Sequence, residues 1–227
     1  MLIKADMHIH TTCSDGRAGP PEVVLQALNI GLQVVSITDH DTFLGSTIAT
    51  RYAESYSRGI LVIPGVEVRT DKGDVLVYCE KEIDFPRKIE NLIEKAHSEN
   101  CIVVPAHPFD IARLGVGEAI YEYSEWDAIE VWNASSTRGS NYKAMEAAKI
   151  LGKPGLANSD AHVLEEIGVA YTLIEVDDLR VESVLNAIRK GRVKPVFGKR
   201  PFSTTIKRLS WSLTRFIHVD QNRRTLR

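Results

Sequence analysis

The chain has 227 residues, 44% of them hydrophobic and 26% charged, with a formal net charge of -2. That composition fits one globular domain with a short appendage and excludes collagen-like, coiled-coil and disordered chains. No apolar run approaches the ~20 residues of a membrane-spanning helix, and the start, MLIKADMHIH, lacks the apolar core of a secretory signal.

Residues 1–198 alternate short β-branched runs with amphipathic stretches. Strands are predicted at Ala5–His10, Gln33–Thr38, Leu61–Val68, Val75–Cys79, Ile102–Ala106, Ala128–Trp132, Gly155–Ala157 and Tyr171–Val176. Several are near-continuous apolar runs, the pattern of parallel strands covered on both faces. A first helix opens at Pro20–Pro21 and stops before Gly31; others are expected at Leu44–Ser57, Phe85–Ser98, Ser140–Leu151 and Val181–Lys190. The segment TDKGD joins Val66–Arg69 to Val75–Cys79 as a hairpin. Repeated βα units of this length leave an open doubly wound sheet or a closed barrel. No strand is followed by a nucleotide-binding glycine run, and about seven units suit a slightly trimmed barrel. The three cysteines, Cys13, Cys79 and Cys101, form an odd and scattered set. They read as reduced thiols, and the expected compartment is the cytoplasm.

Chemistry gathers where the strands run out. The ends carry His8-Ile9-His10 with Asp15 just beyond, then Asp39-His40-Asp41, Glu67, His107, Glu130 with Asn133, and Asp160 with His162. Five of the seven histidines stand there, His97 and His218 being the exceptions. In a βα barrel those ends converge on the face that carries the active site. His8 and His10, two apart on a strand, project to one side, and Asp160 and His162 repeat the spacing. Imidazoles mixed with carboxylates suit Zn, Mn or Fe.

The segments HIHTTCSDG, TDHDT, PGVEV, PAHP and NSDAH resemble the ordered motifs of the polymerase and histidinol phosphatase (PHP) superfamily of metal-dependent phosphoesterases. The resemblance spans residues 5 to about 198 and is strongest to its small stand-alone branch, which acts on nucleotide phosphates and short oligonucleotides. It implies a distorted seven-stranded TIM-like barrel with two or three divalent ions at the C-terminal strand ends. One ion would be held by His8, His10, Glu67 and Asp160, and a second by Asp15, His40 and His162. A third would use Glu67 and His107, with Asp74 standing where relatives often have a histidine. His40, Glu67 and Asp160 are the implied catalytic residues. The implied reaction is attack by metal-activated hydroxide on a phosphate ester. Arg138 and Arg113 are candidate phosphate-binding cations, with Glu130 and Asn133 as further substrate-side candidates; Glu130 reads equally as the partner that orients a ligand histidine. Asp39 and Asp41 read as structural, Cys13 as a small loop residue and His97 as a surface residue.

The net charge hides an asymmetry: residues 1–198 balance at -9 and residues 199–227 at +7. Ile206, Leu209, Leu213 and Phe216/Ile217 recur at helical spacing. The tail is therefore expected to be a helix packing that stripe on the barrel, with a cationic arm for nucleic acid or an anionic membrane as the other readings. Rival functions are a histidinol-phosphate phosphatase, an amidohydrolase (for which no strand ends in the required lysine), and a non-catalytic metal-binding module with a nucleic-acid-binding tail.

Overall fold

A computed structural model describes residues 1–56, 59–208 and 211. The element order is β1 (Leu2–Ile9), α1 (Pro20–Asn29), β2 (Val34–Ile37), α2 (Leu44–Tyr56), β3 (Leu61–Arg69), β4 (Asp74–Tyr78), α3 (Ile89–Ser98), β5 (Ile102–Pro105), β6 (Ile129–Asn133), α4 (Arg138–Leu151), β7 (Gly155–Asn158), β8 (Tyr171–Glu175), α5 (Val181–Arg189) and β9 (Val193–Val196). Helix ends follow local chemistry. Pro20 and Pro21 occupy the first turn of α1, where Glu22 accepts the Gly19 N–H at 2.7 Å. Thr137 Oγ1 caps α4 by accepting the Ser140 N–H at 3.1 Å, and Gly152 ends that helix in the left-handed region.

Seven strands form one sheet in the order β5-β4-β3-β2-β1-β8-β9, and β6-β7 form a separate parallel pair. The expectation of one seven-stranded barrel is therefore met only in part: the ladder is a seven-stranded α/β sheet with a two-stranded partner. Side chains join the two. Thr172 Oγ1 on β8 accepts the Ala157 N–H and donates to the Ala157 carbonyl, both at 2.9 Å, and Met7 N–H donates to Asn158 Oδ1 at 3.0 Å. At the other edge, the Asp127 N–H donates to the Val103 carbonyl at 3.0 Å.

Strands β1, β2 and β3 are parallel, but β4 returns antiparallel from its hairpin and lies between β3 and β5. The apolar run of β5 thus reflects burial, not a parallel neighbour. β8 is also antiparallel to β1, and β9 to β8. The interior is filled by Ile3, Ala5, Met7, Ile63, Leu76, Tyr78 and Ile102, all fully buried. Each such aliphatic side chain contributes roughly 1.5–3 kcal/mol through burial. α1 and α2 cover β1–β3 through Val23, Val24 and Ala49, while α3 and α4 cover β4–β6 through Ile89, Leu92 and Ala147.

Two expectations need correction. Cys79 and Cys101 form a disulfide joining the end of β4 to the start of β5, so Cys13 is the free thiol. The antiparallel neighbours bring two distant cysteines side by side, a pairing that spacing alone does not reveal. In the tail, residues 202–208 are helical, but Ile206 is 65% exposed, so the apolar stripe does not pack at that position. Leu209, Leu213, Phe216, Ile217 and His218 lie outside the described residues. No helix among the described residues is long and apolar enough to cross a membrane.

Candidate metal centre

β1 carries His8 and His10 to the same side, and both are buried. Their Nε2 atoms face each other at 3.1 Å. Glu67, on β3, stands between them and two further histidines. Its Oε2 lies 3.4 Å from His8 Nε2, 3.2 Å from His10 Nε2 and 3.2 Å from His40 Nδ1. Its Oε1 lies 3.0 Å from His107 Nε2. The loop after β7 adds Asp160, whose Oδ1 is 3.5 Å from His10 Nε2 and 3.4 Å from His162 Nδ1. Asp15 Oδ1 lies 3.3 Å from His162 Nε2 and 3.8 Å from His40 Nε2. His107 and Asp160 both have positive φ, 30° and 50°, the sharp backbone turns that swing these side chains back over the strand ends. Gly16 is required beside Asp15 because a Cβ there would collide with the His10 carbonyl.

Among the described residues, four donor trios are close enough to share an ion: His8/His10/Asp160, His8/Glu67/His107, His10/His40/Glu67 and His10/Asp15/His162. A metal fits this chemistry. Nδ1 of His10, His40 and His107 and Oε2 of Glu67 are buried without a hydrogen-bond partner among the described residues. Lone pairs this crowded suit a divalent cation. The trios overlap: His10 lies within reach of Asp15 and His162 as well as of His40 and Glu67, and His8 lies within reach of Glu67 and His107. Asp74 lines the same cavity, of about 260 Å³, but belongs to no trio.

The electrostatics follow from burial opposed by close pairing. Burial alone would raise the Glu67 carboxyl, but the charge of His8 and the close approach of His10 and His107 hold it well below the usual range. Asp160 is likewise held well below its usual value, with Arg113 the strongest counter-influence to burial. Burial pushes His40 down to about 4, so it stays a neutral donor near pH 7. Burial, together with nearby Glu67, pushes Asp74 up to about 7.

A second layer holds the histidines in place. Glu130 is fully buried; its Oε1 meets His8 Nδ1 and Asn158 Nδ2, both at 2.9 Å, and its Oε2 accepts the His107 N–H at 2.6 Å and Asn133 Nδ2 at 3.0 Å. An ionised carboxylate only accepts, so His8 carries a proton on Nδ1, which leaves Nε2, on the cluster side, as the nitrogen that would ligate. Asn133 Nδ2 also donates to Asp160 Oδ2 at 3.2 Å. Glu130 and Asn133 are thus positioning residues for the cluster. Asp39, beneath it, accepts from the Thr11 N–H at 2.7 Å and from the Thr11 and Ser14 hydroxyls.

Arg113 reaches the cavity and pairs with Asp160. Arg138 does not: it is exposed at the start of α4 and lines a neighbouring cavity with Trp132, Lys199 and Arg200. Sequence reasoning missed Arg69, at the end of β3, and Arg208, from the tail, which both line the metal-site cavity. Arg69 could have been found from its place two residues after Glu67 on a strand. Nothing in the sequence pattern singles out Arg208.

A family model for the PHP domain matches residues 6–127, more than half of the chain, and one described as PHP-associated matches residues 138–193. The protein MJ1587 of Methanocaldococcus jannaschii is 28% identical over 144 residues, 58% of this chain and 82% of its own. The 5'-3' exoribonuclease of Haemophilus influenzae is 41% identical over 71 residues, 31% of this chain and only 25% of the exoribonuclease. Among solved structures, a two-domain protein from Bacteroides vulgatus containing a predicted PHP-like metal-dependent phosphoesterase superposes with a TM-score of 0.74. Its identity is 18%, over 87% of this chain and 65% of that one. With its histidines and carboxylates gathered at the strand ends, the chain belongs to the PHP domain family and is a metal-dependent phosphoesterase.

Proposed function

We propose that the chain hydrolyses phosphate esters of nucleotides or short oligonucleotides, using two or three divalent ions of Zn, Mn or Fe. The observation that carries the reading is Glu67 surrounded by His8, His10, His40 and His107, with Asp15, Asp160 and His162 completing four donor trios. The similarity to an exoribonuclease over 71 residues supports the nucleotide class.

His8, His10, Glu67 and Asp160 would hold one ion, Asp15, His40 and His162 a second, and Glu67 with His107 a third, for which Asp74 is an adjacent carboxylate. When bound, such ions polarise phosphoryl oxygens and lower the pKa of water toward ~7. The chain's own residues do the rest. Glu130 fixes His8 in the tautomer that ligates. Asp160, kept ionised beside Arg113, accepts a hydrogen bond from the attacking water at Oδ1. Arg113 neutralises a non-bridging phosphate oxygen that approaches Asp160. In this reading residues 1–198 form the catalytic body, residues 199–227 a basic C-terminal segment, and the protein works in the cytoplasm.

Phosphate release should be screened on mononucleotides, 3',5'-bisphosphates, short oligonucleotides and histidinol phosphate. Release from the nucleotide substrates, lost in His40→Ala and Asp160→Ala, is expected. Release from histidinol phosphate alone would overturn the nucleotide assignment, and activity surviving both substitutions would overturn the site.

A further inference from the structure

The basic C-terminal segment is pinned against the loops that bear the metal ligands. Glu166 is fully buried and is the anchor. Its Oε2 accepts the His162 N–H at 3.0 Å, and its two oxygens pair with Arg200 Nε at 3.7 Å and Arg208 Nη1 at 3.5 Å. Arg208 Nη1 also donates to Ser135 Oγ at 2.8 Å. Ser135 in turn donates to the Asp160 carbonyl at 3.3 Å. Further along, Trp211 Nε1 donates to the carbonyl of Asp15 at 3.0 Å. The segment therefore touches the loops bearing three candidate ligands, Asp15, Asp160 and His162.

Arg208 does more than hold the segment down. Its side chain, 15% exposed, lines the same cavity as His10, Asp160, His162 and Arg113. Both of its described contacts use Nη1, and a guanidinium offers a fork of five N–H donors. Arg113 enters that cavity from the loop after β5, and Arg208 enters from the tail. A tetrahedral anion drawn to the ligand cluster would meet one guanidinium from each of these two segments.

From this arrangement, we infer that Arg208 is a substrate-binding residue, contributed by the C-terminal segment, that grips the phosphate group being hydrolysed. The inference rests on the phosphoesterase reading of the cluster and assigns the tail a place in the site rather than a free arm for long nucleic acid. Two arginines and the ions around one group favour a terminal phosphate, with its two negative charges, over an internal phosphodiester with one.

The test measures binding of inorganic phosphate to the metal-loaded full chain by calorimetry, alongside KM and kcat for a phosphomonoester and a phosphodiester. Arg208→Ala should weaken phosphate binding by about 10–100-fold, the range for losing a charge-assisted hydrogen bond. It should also raise KM for the monoester more than for the diester, with metal content unchanged. Arg208→Lys should recover part of the loss. Arg200→Ala is the control for anchoring, because Arg200 pairs with the same Glu166 but does not line the cavity; it should bind phosphate as wild type does. Unchanged phosphate binding in Arg208→Ala, or an equal loss in Arg200→Ala, would refute the inference while leaving the phosphoesterase reading intact. A wild-type protein that neither binds phosphate nor hydrolyses any ester would overturn both.

Discussion

Replacing Glu130 with glutamine isolates the layer behind the metal ligands. The carboxylate accepts from four donors: His8 Nδ1, Asn158 Nδ2, the His107 N–H and Asn133 Nδ2. Glutamine has one accepting oxygen and one amide group, so the amide must face two donors. Neither asparagine can flip to accept it. Asn158 Oδ1 is held by the Met7 N–H at 3.0 Å, and Asn133 Oδ1 by the Ser135 N–H at 2.9 Å. Two buried donors lose their acceptor, at roughly 1–3 kcal/mol each, so Glu130→Gln should cost about 2–6 kcal/mol of stability. If the amide turns toward His8 instead, the proton moves from Nδ1 to Nε2 and the lone pair is withdrawn from the cluster. Metal affinity should then fall about 10–100-fold. Urea unfolding of the metal-free protein reads the first effect, and competition with a chromogenic chelator reads the second. A Glu130→Gln protein with wild-type midpoint and wild-type metal affinity would refute this account of the second layer.

Three further outcomes are expected. His10 belongs to three of the four donor trios, so His10→Ala should lose at least one metal equivalent and more than about 100-fold in phosphate release, beyond what a supporting residue alone explains; metal analysis beside the assay would expose a milder effect. Reducing the Cys79–Cys101 bond, which closes a loop of 22 residues, should lower stability by about 3 kcal/mol, read as a drop in melting temperature with added reductant. Tyr78 is fully buried, and its hydroxyl donates to the Met7 carbonyl at 2.7 Å. Burial, reinforced by Glu130, Asp6 and Glu67, holds its phenol well above 10. The unfolded chain therefore loses that proton first, and the stability Tyr78 contributes declines as pH rises above about 10. Denaturant midpoints across that range should fall more steeply for wild type than for Tyr78→Phe, and parallel curves would contradict the burial argument.

The ligand cluster was legible because strand periodicity and strand-end position both act locally. His8 and His10 share a face whatever the rest of the chain does, and the motifs at His40, Glu67, His107 and Asp160 each sit where an apolar run stops. Which donors come within reach of one another across the strands was not legible, because it depends on how loops from different strands tilt toward one another. β9 escaped notice because Lys194 and Pro195 spoil a strand pattern in only four residues. The disulfide depended on antiparallel neighbours, and the chain reverses there only because of one hairpin. Arg138 read as a site cation from its distance along the chain after Asn133, yet α4 starts at that residue and carries it to a neighbouring cavity. Arg208 was hidden for the opposite reason. It sits among other charges on a short helix, and only tertiary contact with Ser135 and Glu166 brings it to the cavity.

The most direct test of the central claim is the number of metal ions bound per chain after gentle purification, measured by inductively coupled plasma mass spectrometry. At least two equivalents of divalent transition metal are expected, and fewer than two would contradict the clustered centre on which the phosphoesterase reading stands.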